Sequence, residues 1–375
     1  MRFKTFFDKV PAGVFARAHS KDETTADVIS MEFTSSEDGS KFLSRLEGFP
    51  TEFLARAPSP ILPSTVSNIV AVIHPDGNAE VAVNETNFSM LIRPRRKPEV
   101  GANVFRDDIT SIRRVEVEGF EIPETAGVLV LFSIGWRKGL FFDYTPIVGA
   151  ERLPRQYDLG VYLGQCFSYV MFQEMFKVSE TAWSQMLNQR WFPFIYLGVD
   201  LIKAMVAHAE NGWAIDDLLP KIAEAVRNLL TSPTTEWLSS PVLAPHLKLV
   251  ETARERYLAG DFISATSILY PRIEGIMRSC MAVADLRTKP TPSNLAAHVT
   301  SREASGPWCV LLPDRFRAFL EEVYFANFDP RNEELAVGRH TVAHGVASAH
   351  DFSLKSATLG FLVLLQLSGF LPSSE

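Results

Sequence analysis

The chain has 375 residues, of which 46% are hydrophobic, 11% aromatic and 22% charged. This composition is typical of a globular protein with two or three domains and excludes a largely disordered chain. The formal net charge of -7 argues against a general polyanion binder, because non-specific affinity for nucleic acid comes mostly from Lys and Arg side chains.

The first part of the chain is rich in strand patterns. Residues 68–74 and 80–84 flank Pro75-Asp76-Gly77-Asn78, which is strong turn chemistry and predicts a β-hairpin. Further runs of β-branched and aromatic residues follow at 113–117, 127–134 and 140–144. We therefore expect residues 1–150 to form a β-rich domain of unknown type.

The spacing of apolar residues becomes helical between about 155 and 230, which predicts a helical middle region or linker at 151–240. Thr231-Ser232-Pro233-Thr234-Thr235 is polar and contains a proline, so it favours a boundary near 240. We expect a third segment, 241–375, to be an all-α bundle.

Several helices are predicted within this C-terminal bundle. The first two cover about 243–259, ended by Gly260, and 262–283, and their short connection implies antiparallel neighbours. Residues 286–313 are rich in Pro, Ser, Thr and Gly and are expected to form a mobile insertion, within which 295–299 could form a helical turn. Helical periodicity returns at about 314–326, 330–344 and 352–371.

Localisation follows from what the sequence lacks. The cysteines Cys166, Cys280 and Cys309 are far apart and without paired short spacings, which favours reduced thiols in a cytoplasmic protein. The most apolar run, 359–371, is interrupted by polar residues and is shorter than the roughly 20 residues that span a bilayer. We expect a cytoplasmic protein with no membrane partner.

One C-terminal helix carries residues suited to proton transfer and phosphate binding. Asp329-Pro330 is a good helix start and Gly345 a good stop. Between them, the run Arg339-His340-Thr341-Val342-Ala343-His344 places Arg339 five positions before His344. This offset is about 140° around a helix, so the two side chains do not share one stripe.

This run resembles the Arg-x4-His signature of the HEPN superfamily in its prokaryotic form, Arg-His-x-x-x-His-Gly. Residues 257–265, 271–278 and 352–357 are similar to flanking helices of that family. The resemblance covers 241–375 and implies a C-terminal HEPN helical bundle. Together with the β-rich N-terminal domain and the helical middle region, this bundle gives α+β as the expected fold class.

The resemblance implies a metal-independent endoribonuclease in which Arg339, His344 and His340 act on RNA without a cofactor. It also implies a homodimer through the C-terminal bundle, a toxin or antiviral abortive-infection role, and a regulatory protein or ligand at the N-terminal domain. The candidate supporting residues are Glu274, Arg278 and Gly345.

Other interpretations of these residues stay open at this point. Arg339 could cap helix carbonyls or pair with Glu333 or Glu334. Glu274 and Arg278 could form an i,i+4 ion pair at the surface or between subunits, or Glu274 could orient the catalytic histidine. His340 and His344 could belong to a metal site, although no His-Glu-x-x-His pattern supports it. The bundle could also be a non-catalytic HEPN module for nucleotide binding or dimerisation. The basic run at 93–97 is more simply a solvated loop than an RNA guide.

Overall fold

The computed structural model describes residues 1–9, 14–18, 26–95, 98–148, 153–231, 240–284, 287–301, 308–326, 338–343, 345 and 347–371. It is 52% helix and 17% strand, with the sheet near the N-terminus and helices in the C-terminal half, which confirms a mixed class. The chain divides into two compact units, Met1–Leu91 with Ile112–Met171, and Ile92–Ser111 with Phe172–Glu375. The predicted limits at 150 and 240 do not coincide with this division.

The strands of the described residues are β1 (Arg2–Phe6), β2 (Val14–Ala18), β3 (Ala26–Ile29), β4 (Met31–Ser35), β5 (Ile69–Ile73), β6 (Asn78–Val83), β7 (Phe88–Pro94), β8 (Ile109–Val117), β9 (Gly127–Ile134) and β10 (Arg137–Asp143). Six of them form an antiparallel sheet in the order β1-β6-β5-β9-β10-β4. Two smaller sheets pair β2 with β3 and β7 with β8.

The predicted hairpin is confirmed by the pairing of β5 with β6, in which Ile73 lies opposite Ala79. Gly77 has a φ of +92°, a left-handed conformation that glycine adopts without strain. The amide of Gly77 donates to the carbonyl of His74 at 3.0 Å, and the Asp76 carboxylate accepts from the Asn78 amide at 3.0 Å. The turn residues therefore determine where this hairpin begins and ends.

Both faces of the central strands are buried, which explains why β5 is apolar at every position. On one face, Ile69, Ala71 and Ile73 pack in a core with Phe42 and Phe53, from the short helices α1 (Ser40–Glu47) and α2 (Phe49–Ala55). After α3 (Thr145–Val148), helix α4 (Leu159–Met171) lies over the other face, and its Phe167 stacks on Phe132 with ring centroids 3.9 Å apart.

A buried ion pair lies within the first unit. The Asp143 carboxylate accepts from Arg155 at 2.9 Å, from the Tyr157 hydroxyl at 2.6 Å and from the Thr145 hydroxyl at 2.5 Å. Burial raises the pKa of Asp143, but these hydrogen bonds outweigh it and the net pKa lies below the usual value. The interaction joins residues 153–157 to the end of β10.

The helices of the second unit are α5 (Gln173–Phe176), α6 (Glu180–Asn188), α7 (Val199–Glu210), α8 (Leu219–Leu229), α9 (Leu247–Leu258), α10 (Phe262–Val283), α11 (Pro292–Ser301), α12 (Pro313–Phe319), α13 (Arg339–Ala343) and α14 (Leu354–Ser368). Residues 320–324 continue α12 as a π-helical turn. Among these described elements, α9, α11, α13 and α14 all pack against α10.

Helix α14 forms the centre of this unit, since every residue from Ser356 to Leu367 is buried. A Cβ atom at Gly360 would lie 2.9 Å from side-chain atoms of Leu269 and Tyr270 on α10, so glycine permits this close packing. No helix among the described residues is both long and apolar enough to span a bilayer.

The basic run at 93–97 differs from both sequence interpretations. Arg93 donates to the carbonyls of Ser368, Gly369 and Leu371 at the end of α14, and Arg95 donates to the carbonyl of Ile195 at 3.2 Å. Both side chains therefore satisfy backbone carbonyls, and Arg93 does so at a helix C-terminus, where a positive charge is favourable. Residues 96 and 97 lie outside the described part of the chain.

Three sequence predictions for the helices need correction. Residues 292–301 form helix α11 within the expected mobile insertion, begun by Thr291, whose hydroxyl accepts from the Asn294 amide at 3.3 Å. The helix expected from 243 starts as a 3-10 turn at Pro241–His246. The helix expected at 330–344 is not continuous, because Gly338 is non-helical and α13 begins at Arg339; residues 327–337 lie outside the described part.

Candidate functional site

Helix α10 supplies one side of the candidate site. Its first turn is capped by Asp261, whose carboxylate accepts from the Ser264 amide at 3.0 Å. Buried apolar residues hold the helix in the core, among them Leu269, Ile273 and Ile276. Glu274 lies between these positions, and its side chain is only 7% exposed. A buried carboxylate requires charged or hydrogen-bonding partners.

Helix α13 supplies the other side. The hydroxyl of Thr341 accepts from the amide of Gly338 at 2.9 Å and donates to the Gly338 carbonyl at 3.0 Å. A Cβ atom at Gly338 would lie 3.3 Å from the carbonyl oxygen of Tyr324, so this backbone packs closely against the end of the π-helical turn. Gly345 has a φ of +67°, which agrees with its predicted role in ending the helix.

Two arginines share the Glu274 carboxylate. Arg339 forms an ion pair with Oε2 of Glu274. Arg278 contacts Oε1 through Nη2 at 2.7 Å and through Nε at 2.8 Å. The i,i+4 pairing predicted from sequence is therefore confirmed, but Glu274 is buried and does not lie at the surface. The structure adds Arg339, which lies 65 residues after Glu274 in the chain.

His340 lies beside the Arg339 guanidinium. Its Nδ1 is 3.2 Å from Nη1 of Arg339, and because a guanidinium only donates, Nδ1 must be the acceptor. A neutral His340 in this geometry carries its proton on Nε2. The imidazole is half-buried, and its centroid is 6.5 Å from that of Phe325.

Two buried tyrosines, Tyr270 and Tyr324, lie on the interior side of the site near Glu274. The Tyr324 hydroxyl donates to the Tyr270 carbonyl at 2.6 Å, and the two rings are 5.6 Å apart. Burial, followed by the nearby charge of Glu274, raises the pKa of Tyr324 well above its ordinary value. This hydroxyl therefore stays protonated and serves as a structural donor.

The structure brings Glu274, Arg278, Arg339 and His340 together. His344, the other predicted catalytic residue, lies outside the described residues, as do Glu333 and Glu334. The predictions made for those three side chains stay predictions. Sequence reasoning missed the contributions of Tyr324 and Thr341, for which the sequence carries no signal beyond the spacing of Thr341 from Gly338.

Within the part of the chain that the structure describes, no group of three or more His, Cys, Asp or Glu side chains could hold a metal ion. Comparisons of the chain with protein-family models, with curated proteins and with solved structures found no match.

Proposed function

We propose that the protein is a metal-independent endoribonuclease of the HEPN type, acting through Arg339, His340 and His344. The observation that supports this proposal best is the arrangement of Arg339, which is oriented by a buried carboxylate and lies next to an imidazole. A guanidinium held in this way can bind a phosphate without first losing much conformational freedom.

The proposed reaction uses the RNA 2′-hydroxyl as the nucleophile. One histidine takes the proton from the 2′-oxygen, which attacks the adjacent phosphorus, while a second proton carrier protonates the departing 5′-oxygen. Arg339 offsets the negative charge that develops on the phosphorane oxygens. The products are a 2′,3′-cyclic phosphate and a 5′-hydroxyl, so a DNA strand is not a substrate.

The roles of the two histidines follow from the resemblance and from proton chemistry near neutral pH. We assign His344 as the main general acid or base. His340 is assigned as the second proton carrier or as a phosphate donor, because the contact with Arg339 leaves Nε2 as its proton-bearing nitrogen.

We further propose that the active form is a homodimer through the C-terminal bundle. We expect α10 and α13 to contribute most of the contact, because they carry Arg278, Arg339 and His340, none of which is fully buried. A two-fold contact there would present Arg339, His340 and His344 twice in one groove. A mixture of Arg339→Ala and His344→Ala subunits would then regain part of the activity, whereas an active monomer would contradict the shared groove.

A second candidate function is a non-catalytic bundle for nucleotide binding or dimerisation, which would serve the N-terminal part of the chain. The ion pair of Arg339 with the buried Glu274 favours this alternative, because an arginine in such a pair can serve to stabilise the fold. For the ribonuclease we propose a toxin or antiviral abortive-infection setting, with a regulatory protein or ligand acting on the N-terminal part. This setting rests on analogy with the family.

Purified protein incubated with total cellular RNA and tRNA tests the proposed function. We expect wild-type protein to cut RNA, and Arg339→Ala and His344→Ala each to lower the rate about 10²- to 10⁴-fold, the usual loss for a charge-stabilising donor or a general acid or base. His340→Ala should be milder. A folded double variant that cuts RNA at the wild-type rate would contradict the catalytic assignment of Arg339 and His344. A folded wild-type protein that cuts no RNA would favour the non-catalytic alternative.

A further inference from the structure

Glu274 carries two guanidinium groups on one carboxylate. Arg339 pairs with Oε2, and Arg278 contacts Oε1. The Glu274 side chain is 7% exposed, while those of Arg339 and Arg278 are 23% and 46% exposed. The buried anion therefore lies beneath two cations that reach solvent, and the trio keeps one surplus positive charge.

An ordinary ion pair elsewhere in the same unit provides the contrast. Arg317 and Glu321 have the same i,i+4 spacing, with Nε of Arg317 3.2 Å from Oε1 of Glu321. Their side chains are 45% and 32% exposed, so both charges face water and one cation meets one anion. Water solvates both charges of that pair, so neither depends on the other. The buried carboxylate of Glu274 has instead two arginines as its charged partners.

We propose that Arg278 is a second phosphate-binding residue, which contacts a backbone phosphate next to the scissile phosphate of single-stranded RNA. This inference rests on the proposed ribonuclease function, since it takes Arg339 as the group on the scissile phosphate. Two guanidinium groups that share one carboxylate lie within roughly 8 Å of each other, because each N···O contact is about 3 Å. Neighbouring phosphates of one strand can therefore be bound together.

The geometry of Arg278 suits this role. Its contacts with Glu274 use Nε and Nη2, which leaves the two N–H groups of Nη1 outside those contacts. Arg278 acts on a phosphate that does not react, so it contributes to binding of substrate and transition state alike. Its loss should raise KM about tenfold and change kcat little, unlike the loss of Arg339.

The test measures binding of a short 2′-O-methyl oligouridylate by fluorescence anisotropy between about 50 and 200 mM salt. The blocked 2′-oxygen prevents cleavage, so binding is read separately from chemistry. Arg278→Gln should lower the slope of log K against log salt by about 0.7, the value for one phosphate contact on a single strand. Arg278→Lys should restore part of the slope, because it keeps the charge.

Arg317→Gln is the matched control, since it removes an arginine of the same spacing and exposure from an ion pair elsewhere in the unit. Its slope should equal that of wild type. An unchanged slope in Arg278→Gln, an equal loss in Arg317→Gln, or no binding by the wild-type protein would overturn the inference.

Cleavage of unmodified RNA by the wild-type protein distinguishes this failure from failure of the proposed function. If wild type cuts RNA and the slope does not depend on Arg278, only the second phosphate contact is wrong. If the slope depends on Arg278 and no RNA is cut, phosphate binding stands and the ribonuclease proposal falls.

Discussion

A double-mutant cycle on Glu274 tests whether the carboxylate holds Arg339 more firmly than it holds Arg278. The variants are Glu274→Gln, Arg339→Gln, Arg278→Gln and the two doubles that contain Glu274→Gln. Glutamine keeps the size of the glutamate and removes its charge. Each cycle then isolates the coupling free energy of one pair of side chains.

The exposure of each pair determines the expected magnitudes. Arg278 is 46% exposed and its pair has i,i+4 spacing, which corresponds to a coupling of about 0.3–0.5 kcal/mol. Arg339 is 23% exposed against a carboxylate that is 7% exposed, and partial burial lifts that coupling to about 1.5 kcal/mol. Glu274→Gln should therefore lose about 2 kcal/mol of unfolding free energy, the rounded sum of the two couplings.

Urea unfolding followed by tryptophan fluorescence measures these differences. Five of the six tryptophans follow residue 172, so the signal comes mainly from the second unit. With the slope m unchanged, the midpoint of Glu274→Gln should fall by about 0.5–1 M urea. A Glu274–Arg339 coupling no larger than the Glu274–Arg278 coupling would refute the proposed orientation of Arg339.

Three further expectations concern packing and pH. Gly360→Ala should lose about 1–3 kcal/mol through overpacking against α10, and an unchanged thermal midpoint would contradict this packing. Burial and, secondarily, Arg272 lower the pKa of His246, so its contribution to stability is present above about pH 6.5 and falls as the pH drops toward the folded-state pKa. His246→Gln should flatten the pH dependence of the urea midpoint between about pH 7 and 5. A pH dependence equal to that of wild type would contradict this role of His246. The pKa of Asp143 lies below its usual value, so its contribution is present above about pH 4 and lost as the pH falls further. Asp143→Asn should lower the free energy of unfolding by about 3–5 kcal/mol at neutral pH, because Arg155 is left buried without its anion. Circular dichroism across an acid titration measures this loss and the loss of wild-type stability below about pH 4. Wild-type stability in Asp143→Asn would rule out the pairing.

Local sequence signals predicted the elements that local chemistry determines. The β5-β6 hairpin follows from turn residues between two runs with strand-like composition. Helix α10 has the bounds predicted for it, about 262–283, because Gly260 ends the preceding helix and apolar residues then recur at helical spacing. Helix α11 was predicted only as a possible helical turn at 295–299, since Pro, Ser and Thr dominate its region. Thr291 and Pro292 nevertheless form a good helix start.

Long-range features could not be predicted in the same way. The assignment of residues 92–111 to the second unit depends on contacts with residues far along the chain, such as that of Arg93 with the end of α14. The partner of Arg339 is a similar case. The sequence identified the Glu274–Arg278 pair from i,i+4 spacing, but no local pattern joins Glu274 to a residue 65 positions later.

End-group analysis of RNA cut in excess EDTA tests the proposed mechanism most directly. We expect that wild-type protein still cuts, that mass spectrometry finds 2′,3′-cyclic phosphate and 5′-hydroxyl ends, and that one 2′-deoxynucleotide placed 5′ to the scissile phosphate blocks cleavage there. His344→Ala serves as the control for contaminating nuclease. Activity that disappears with the chelator and returns with Zn²⁺, Mg²⁺ or Mn²⁺ would contradict metal-independent cleavage and make His340 and His344 candidate metal ligands.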